Sequence, residues 1–257
     1  MLKVTNLNVH LGKQSILHDI DLVVEPGKCT AVLGANGAGK STLLACLSGE
    51  HPRYLNHISM DGVPLNHFSR SERATRMAVM PQSVALSFPM RVHQVVAMGR
   101  SPYADENSTR HYQRDAMQLT EVWHLRERIY PTLSGGEQQR VQLARVLVQI
   151  WEARIHNSPQ HNYYLLLDEC TSALDPAHQH SVMNVVKEFA DAGVGTLAVM
   201  HDISLAASWA DEVVMLKNGK VTVHGDRSVL TNSECLQRVY DLPAPLAQAY
   251  SQQCAVW

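Results

Sequence analysis

Paired cysteines are missing from this chain. Its five, Cys29, Cys46, Cys170, Cys235 and Cys254, are scattered singly, with no C-x-x-C pair and no zinc-like spacing, which excludes a disulfide framework and a zinc module and points to a reducing compartment. Long apolar runs are also missing. Candidates such as Tyr163–Leu167 are strand-sized, far short of the ~20 residues that span a bilayer. The opening stretch MLKVTNLNVHLG alternates polar and apolar residues where a secretory signal needs an unbroken apolar core, so no signal peptide is expected and any membrane role should be peripheral. Charge of one sign is scarce. A formal net charge of -2 gives no global positive field and argues against a protein that coats nucleic acid. No repeat of 20–50 residues and no low-complexity segment stands out. What is present is ordinary globular composition, 45% hydrophobic against 18% charged over 257 residues, outside the disordered regime and enough for one large domain or two modest ones.

The runs Leu2–Val9 and Ile16–Val24, punctuated by Gly12 and Pro26-Gly27, predict antiparallel strands. Cys29–Leu33 predicts a strand that feeds a glycine loop and then a helix over Ser41–Ser48. From about Pro89 to Trp151 the strand signal fades, and Val92, Val95, Val96, Met117, Leu119 and Val122 fit helical spacing. Strand signals return at Tyr163–Leu167, Thr196–Met200 and Glu212–Leu216, with a helical pattern at Gln179–Ala192. That alternation implies a parallel sheet covered by helices. The expected class is a mixed α/β core with an antiparallel β flank and a helical subdomain.

Gly34-Ala35-Asn36-Gly37-Ala38-Gly39-Lys40-Ser41 fits G-x-x-x-x-G-K-[ST] between a predicted strand and a predicted helix. Glycines let backbone N–H groups wrap an anion, and the helix start aims its positive end at the same anion. Lys40 should reach the β and γ phosphates of a nucleotide and Ser41 should bind Mg²⁺, with Thr42 next in the helix. Tyr163–Leu167 runs into Asp168 and Glu169, an apolar strand whose carboxyl end opens into a ligand crevice. Asp168 is expected to hold the magnesium ion and Glu169 to orient and deprotonate the attacking water.

Leu133-Ser134-Gly135-Gly136-Glu137-Gln138-Gln139-Arg140 reads on its own as an S-x-x-E capping box opening an apolar-periodic helix. Together with the phosphate loop and Asp168-Glu169 it resembles the signature of ATP-binding cassette (ABC) ATPases, and the resemblance extends over essentially the whole chain. It implies a P-loop NTPase (RecA-like) core with a mostly parallel sheet, an N-terminal antiparallel β subdomain and a helical subdomain. The implied division is core about 1–88 and 155–240, helical insert about 89–154, and a short tail 241–257. It also implies ATP and Mg²⁺ as ligands, and a helix start at Ser134, Gly135 and Gly136 that faces the γ-phosphate held by an opposing subunit. By the same resemblance Gln82 would sense magnesium and the attacking water, Ser172-Ala173-Leu174-Asp175 would form a dimer-contacting loop, and His201 would contact the γ-phosphate.

Two positions depart from the family pattern. Leu11 precedes Gly12, with His10 adjacent, where an aromatic usually stacks on adenine, and Cys170 stands where a proline usually follows the catalytic glutamate. Weakened adenine selectivity and intact hydrolysis chemistry are therefore expected. Met98-Gly99-Arg100-Ser101-Pro102-Tyr103 resembles an element in ATPases of iron-siderophore, cobalamin and heme importers. Its plain alternative is a turn at Pro102 closing a helix. The stretch Arg154–Asn162 is longer than the ~2–6 residues of most αβ connections, and with His178-Gln179 it resembles the heme-importing branch.

The resemblance therefore implies a homodimer of ATPase subunits bound to two transmembrane permease subunits at the cytoplasmic face of the inner membrane. A periplasmic substrate-binding protein would act on it indirectly, nucleic acid would not be a partner, and residues near Arg91–Tyr103 would move against the permease. Iron-siderophore or cobalamin import, an exporter role, and a soluble ABC ATPase acting on nucleic acid are the alternatives. The fourteen histidines, His178 and His180 included, are expected to face solvent rather than ligate cargo.

Overall fold

The structure, a computed structural model, describes residues 1–83, 88–103, 106–155 and 161–257. Its strands are β1 (Leu2–Leu11), β2 (Gln14–Val24), β3 (Cys29–Gly34), β4 (Ile58–Met60), β5 (Val63–Pro64), β6 (Met77–Met80), β7 (Tyr164–Asp168), β8 (Gly195–Val199), β9 (Glu212–Lys217) and β10 (Lys220–Asp226). Its helices are α1 (Lys40–Leu47), α2 (Arg70–Arg76), α3 (Val92–Ala97), α4 (Glu106–Leu119), α5 (Gly135–Gln149), α6 (Glu152–Ile155), α7 (Pro176–Asp191), α8 (Ile203–Trp209), α9 (Ser233–Tyr240) and α10 (Ala244–Cys254).

An antiparallel sheet runs β2-β1-β4-β5. On β1 the buried side chains are Leu2, Val4, Leu7 and Val9, and the odd step from Val4 to Leu7 would turn the second pair to solvent in a regular strand. A bulge prevents this. The register with β2 shifts between Val4 and Leu7, and Asn6 adopts a left-handed backbone, φ 46°. Asp19 (φ 48°) makes the matching adjustment on β2 between buried Leu17 and Ile20. Asn8 fixes the pair by hydrogen bonds with Asp19 at 2.9 and 3.0 Å.

The second sheet runs β10-β9-β3-β8-β7-β6, parallel from β9 to β6 with β10 antiparallel at the edge. Its central strands are buried on both faces, as parallel strands between two covering layers must be. Cys29, Ala31 and Leu33 of β3 and Leu165 and Leu167 of β7 join the helices on one side. Val32, Tyr164 and Leu166 pack with α1 and the antiparallel sheet on the other.

The predicted strands are present within two residues at each end, β1 running on to Leu11 and β2 starting at Gln14. Helix α1 begins at Lys40, one residue before its expected start, and α7 begins at Pro176 rather than Gln179 because Asp175 caps it, accepting the His178 N–H at 2.9 Å. The stretch expected as a tail from 241 folds into α10, which buries Ala247, Ser251 and Cys254. Residues 156–160 of the expected insertion lie outside the described residues. At Gly99–Tyr103, α3 ends in a 3-10 turn over Met98–Arg100 and a turn follows at Ser101-Pro102. Gly99 is required there, because a β-carbon on it would lie 2.0 Å from the Arg145 carbonyl oxygen of α5.

Candidate functional site

Four adjacent strands end on one edge of the parallel sheet, and each delivers a chemical group there. β3 ends at Gly34 and runs through the phosphate loop into α1, β6 is followed by Gln82, β7 ends in Asp168 and Glu169, and β8 is followed by His201. The carboxyl ends of parallel strands are where open α/β sheets place ligands. The cleft they form, about 730 Å³, is lined by Asn36, Gly37, Gly39, Lys40, Ser41, Thr42, Gln82, Glu169 and His201, together with Gln14 and Ile16 of β2.

The loop's shape depends on glycine at two places. Gly34 has φ 145°, and a β-carbon there would meet the Leu216 carbonyl oxygen at 2.3 Å; Gly39 has φ 101° and would press on Leu17 at 2.6 Å. The first turn of α1 leaves its leading N–H groups without intrahelical partners, ready for an anion. Lys40 is buried, and its Nζ donates to the carbonyls of Gly34 at 2.8 Å and Ala35 at 3.1 Å. Burial holds its pKa below the ordinary lysine value, with the Glu169 and Asp168 charges pulling the other way. The ammonium thus waits at the loop on carbonyl partners that phosphate oxygens, carrying full charge, can replace.

Asp168 is buried, and the Ser41 hydroxyl donates to its Oδ1 at 3.4 Å. Burial pushes its carboxyl pKa up, only partly offset by that hydrogen bond. A buried carboxylate and a hydroxyl at the end of the phosphate loop are hard oxygen donors, the set that suits Mg²⁺. Glu169 has both oxygens engaged: Gln82 Nε2 donates to Oε2 at 2.6 Å, and His201 Nε2 contacts Oε1. Its backbone is left-handed, φ 51°, which costs a residue with a β-carbon roughly 1–2 kcal/mol and marks a position held by its surroundings. Cys170 behind it is buried, with Sγ 4.0 Å from Met183 Sδ, and burial pushes its thiol pKa up to about 12.

Ser134, Gly135 and Gly136 are not part of this cleft. With Glu137, Ala173, Leu174 and Asp175 they line a separate recess of about 460 Å³. The capping box is formed: Ser134 N–H donates to Glu137 Oε2 at 2.8 Å, and Ser134 Oγ accepts Glu137 N–H at 3.3 Å. Because Oγ accepts in this box, the Ser134 hydroxyl proton stays free for an anion at the helix start. The same backbone hydrogen bond holds the Glu137 carboxyl below the usual range.

Three contributors were not anticipated from sequence. Gln14 and Ile16 reach the cleft, whereas Leu11 is exposed and does not line it. Tyr240, from α9, accepts the Gly34 N–H at 3.2 Å and so braces the first residue of the phosphate loop across 206 positions of sequence. Gln14 and Ile16 had only hairpin register to reveal them, and Tyr240 had no sequence signal at all. Among the described residues no cluster of three or more His, Cys, Asp or Glu side chains could hold a metal ion, and His180 is exposed with its ring 6.0 Å from that of Trp257.

A family model described as ABC transporter matches residues 17–172. A hemin import ATP-binding protein, HmuV, of Gloeobacter violaceus is 45% identical over 245 residues, 94% of this chain and 88% of that protein. The HmuV of Pseudomonas fluorescens is 44% identical over 247 residues, covering 94% and 93%. Among solved structures, a metal-chelate type ABC transporter in an inward-facing conformation is similar at a TM-score of 0.75 and 26% identity, over 94% of this chain and 89% of that one. The chain belongs to the ABC transporter family as its ATP-binding, ATP-hydrolysing component.

Proposed function

We propose that this chain is the ATPase subunit of a heme (hemin) importer, acting as a homodimer on two transmembrane permease subunits at the cytoplasmic face of the inner membrane, with a periplasmic binding protein acting on it indirectly. The cargo follows the hemin import proteins that are 45% and 44% identical to it. Among the described residues no helix is long and apolar enough to cross a membrane, which fits a peripheral subunit. One observation carries the dimer: the phosphate loop and Ser134 line different recesses of the same chain. A nucleotide on one loop is therefore enclosed only when a second chain brings its Ser134, Gly135 and Gly136 over the γ-phosphate.

On this reading the backbone of Gly34, Ala35, Asn36, Gly37, Ala38 and Gly39 wraps the phosphates, Lys40 neutralises the β and γ groups, and Thr42 adds a hydroxyl at the cleft. Ser41, Asp168 and the amide oxygen of Gln82 would hold Mg²⁺, which when bound spreads the charge of the β and γ oxygens. Glu169 accepts the proton of the attacking water at a carboxylate oxygen. Gln82 orients that carboxylate from one side and His201 from the other, with the His201 ring also in reach of the γ-phosphate side of the cleft. Closure of the dimer would carry the helical insert, about 89–154, against the permease, and hydrolysis would reset it.

The test is hydrolysis by the purified complex with carrier proteins loaded with hemin, a siderophore or cobalamin. Stimulation by the hemin-loaded carrier supports the cargo; stimulation only by another reassigns it. For the dimer, Glu169→Gln should accumulate an ATP-bound dimer on gel filtration, and a strictly monomeric elution with saturating Mg-ATP would refute the sandwich.

A further inference from the structure

The left-handed backbone of Glu169 needs an anchor, and a side chain outside the cleft supplies part of it. Glu169 N–H donates to the Val199 carbonyl at 3.1 Å, and its own carbonyl accepts the Ser172 N–H at 3.2 Å and the Gln139 side-chain amide at 3.4 Å. The same Gln139 amide donates to Ser172 Oγ at 3.0 Å, while its oxygen accepts the Ala173 N–H at 3.1 Å. One half-buried amide thus satisfies three groups of the 169–173 loop. It does so from the second turn of α5, five residues after Ser134, and it lines neither the nucleotide cleft nor the signature recess. Both amide N–H donors and one acceptor site of Gln139 are thus committed to fixed backbone and side-chain partners of one loop.

We propose that Gln139 is a positioning residue for hydrolysis, fixing the backbone of Glu169 to the helix whose start carries Ser134. The catalytic carboxylate of one nucleotide site and the signature of the next then move as one body. The second half rests on the sandwich reading; the first half stands on contacts within one chain.

The test uses the full chain with Mg-ATP. Gln139→Met keeps the length and removes the amide, and Gln139→Glu keeps an acceptor for Ala173 N–H and the Ser172 hydroxyl while losing both donated bonds. Each is made with Glu169 and with Glu169→Gln. Gln139→Met should lower kcat tenfold or more with KM for ATP within twofold, Gln139→Glu, which also loses the bond to the Glu169 carbonyl, should lower kcat at least as much, and Gln139→Met should change the residual turnover of Glu169→Gln less than twofold. An equal loss in both backgrounds, a parallel rise in the ATP dissociation constant, or an unchanged kcat overturns the proposal. Should Gln139→Met fail to fold, the same comparison is read on Gln139→Glu. Gel filtration of Glu169→Gln alone reports on the sandwich, so failure of the dimer and failure of Gln139 as a positioning residue give different results.

Discussion

Arg100 tests whether the Gly99–Tyr103 element is a partner contact or an internal staple. Its side chain is 4% exposed, and Nη1 donates to the Val148 carbonyl at 3.1 Å and to Glu152 Oε2 at 3.0 Å, with Nη2 2.8 Å from Glu152 Oε1. The guanidinium lies 3.7 Å from the centroid of the Tyr103 ring. Arg100→Ala removes one member of a bidentate pair and leaves Glu152, 16% exposed, without its cation. Breaking a buried pair from one side costs about 3–5 kcal/mol, and the small access of Glu152 to water puts this case near the lower end. At about 2–4 °C per kcal/mol for a chain of this size, a loss of about 3 kcal/mol lowers Tm by roughly 6–12 °C. Thermal unfolding of the full chain followed by circular dichroism reads this directly. Arg100→Lys should fall between, and the apolar double variant Arg100→Met with Glu152→Met should recover most of the loss, since packed hydrophobes can replace a buried pair. A melting point for Arg100→Ala within about 2 °C of the parent would refute the staple.

Lys40→Ala should abolish hydrolysis, and an unchanged turnover in a steady-state phosphate-release assay would overturn the phosphate-loop assignment. Binding of ATP and GTP, measured by competition, should differ by less than about tenfold, because the ring stack worth roughly 1–3 kcal/mol is missing and Leu11 lies outside the cleft; a hundredfold preference would mean that Gln14 reads the base. Cys170→Pro should leave turnover within tenfold, since both acids and their partners stay in place; a larger change contradicts this. The capping carboxylate of Glu137 has a depressed folded pKa, so its stabilisation is present above the ordinary carboxylate value and is lost as pH falls through the folded one. The melting-point difference between the parent and Glu137→Gln should therefore shrink below about pH 4, and a constant difference down to pH 3 would refute the charged cap.

What the chain reveals in its sequence and what it hides divide along physical lines. Phosphate loop, acidic strand end and signature are contiguous, and each carries its own local chemistry: glycines for anion wrapping, an apolar run ending in acids, a capping box. The strands that carry them were legible for the same reason, as β3 and β7 are buried on both faces and read as unbroken apolar runs. Strands β4 and β5, of three and two residues, are too short for any periodicity to register. The burial of Arg100 is hidden in the sequence because an arginine beside a proline turn reads as surface, and only the arrival of Val148 from α5 and Glu152 from α6 reverses that. Tyr240 acts through one long-range hydrogen bond and Gln139 through three, and none of them leaves a pattern along the chain.

The same long-range bonds constrain how α5 can move. At its start Gln139 makes three hydrogen bonds to the loop after β7, and at its end Gln149 Nε2 donates to the carbonyls of Ala74 at 2.7 Å and Met77 at 3.0 Å, at the junction of α2 and β6. Tyr103 adds a hydroxyl contact to the carbonyls of Thr75 and Gln149. Freeing the helix from both attachments would sacrifice five hydrogen bonds of the two glutamines, about 5 kcal/mol at roughly 1 kcal/mol each. A rotation that keeps them costs less but must carry the start of β6 and the loop after β7 along. That loop begins at Glu169, so a displacement of α5 is felt at the Glu169 backbone of the same chain without any contact through a nucleotide.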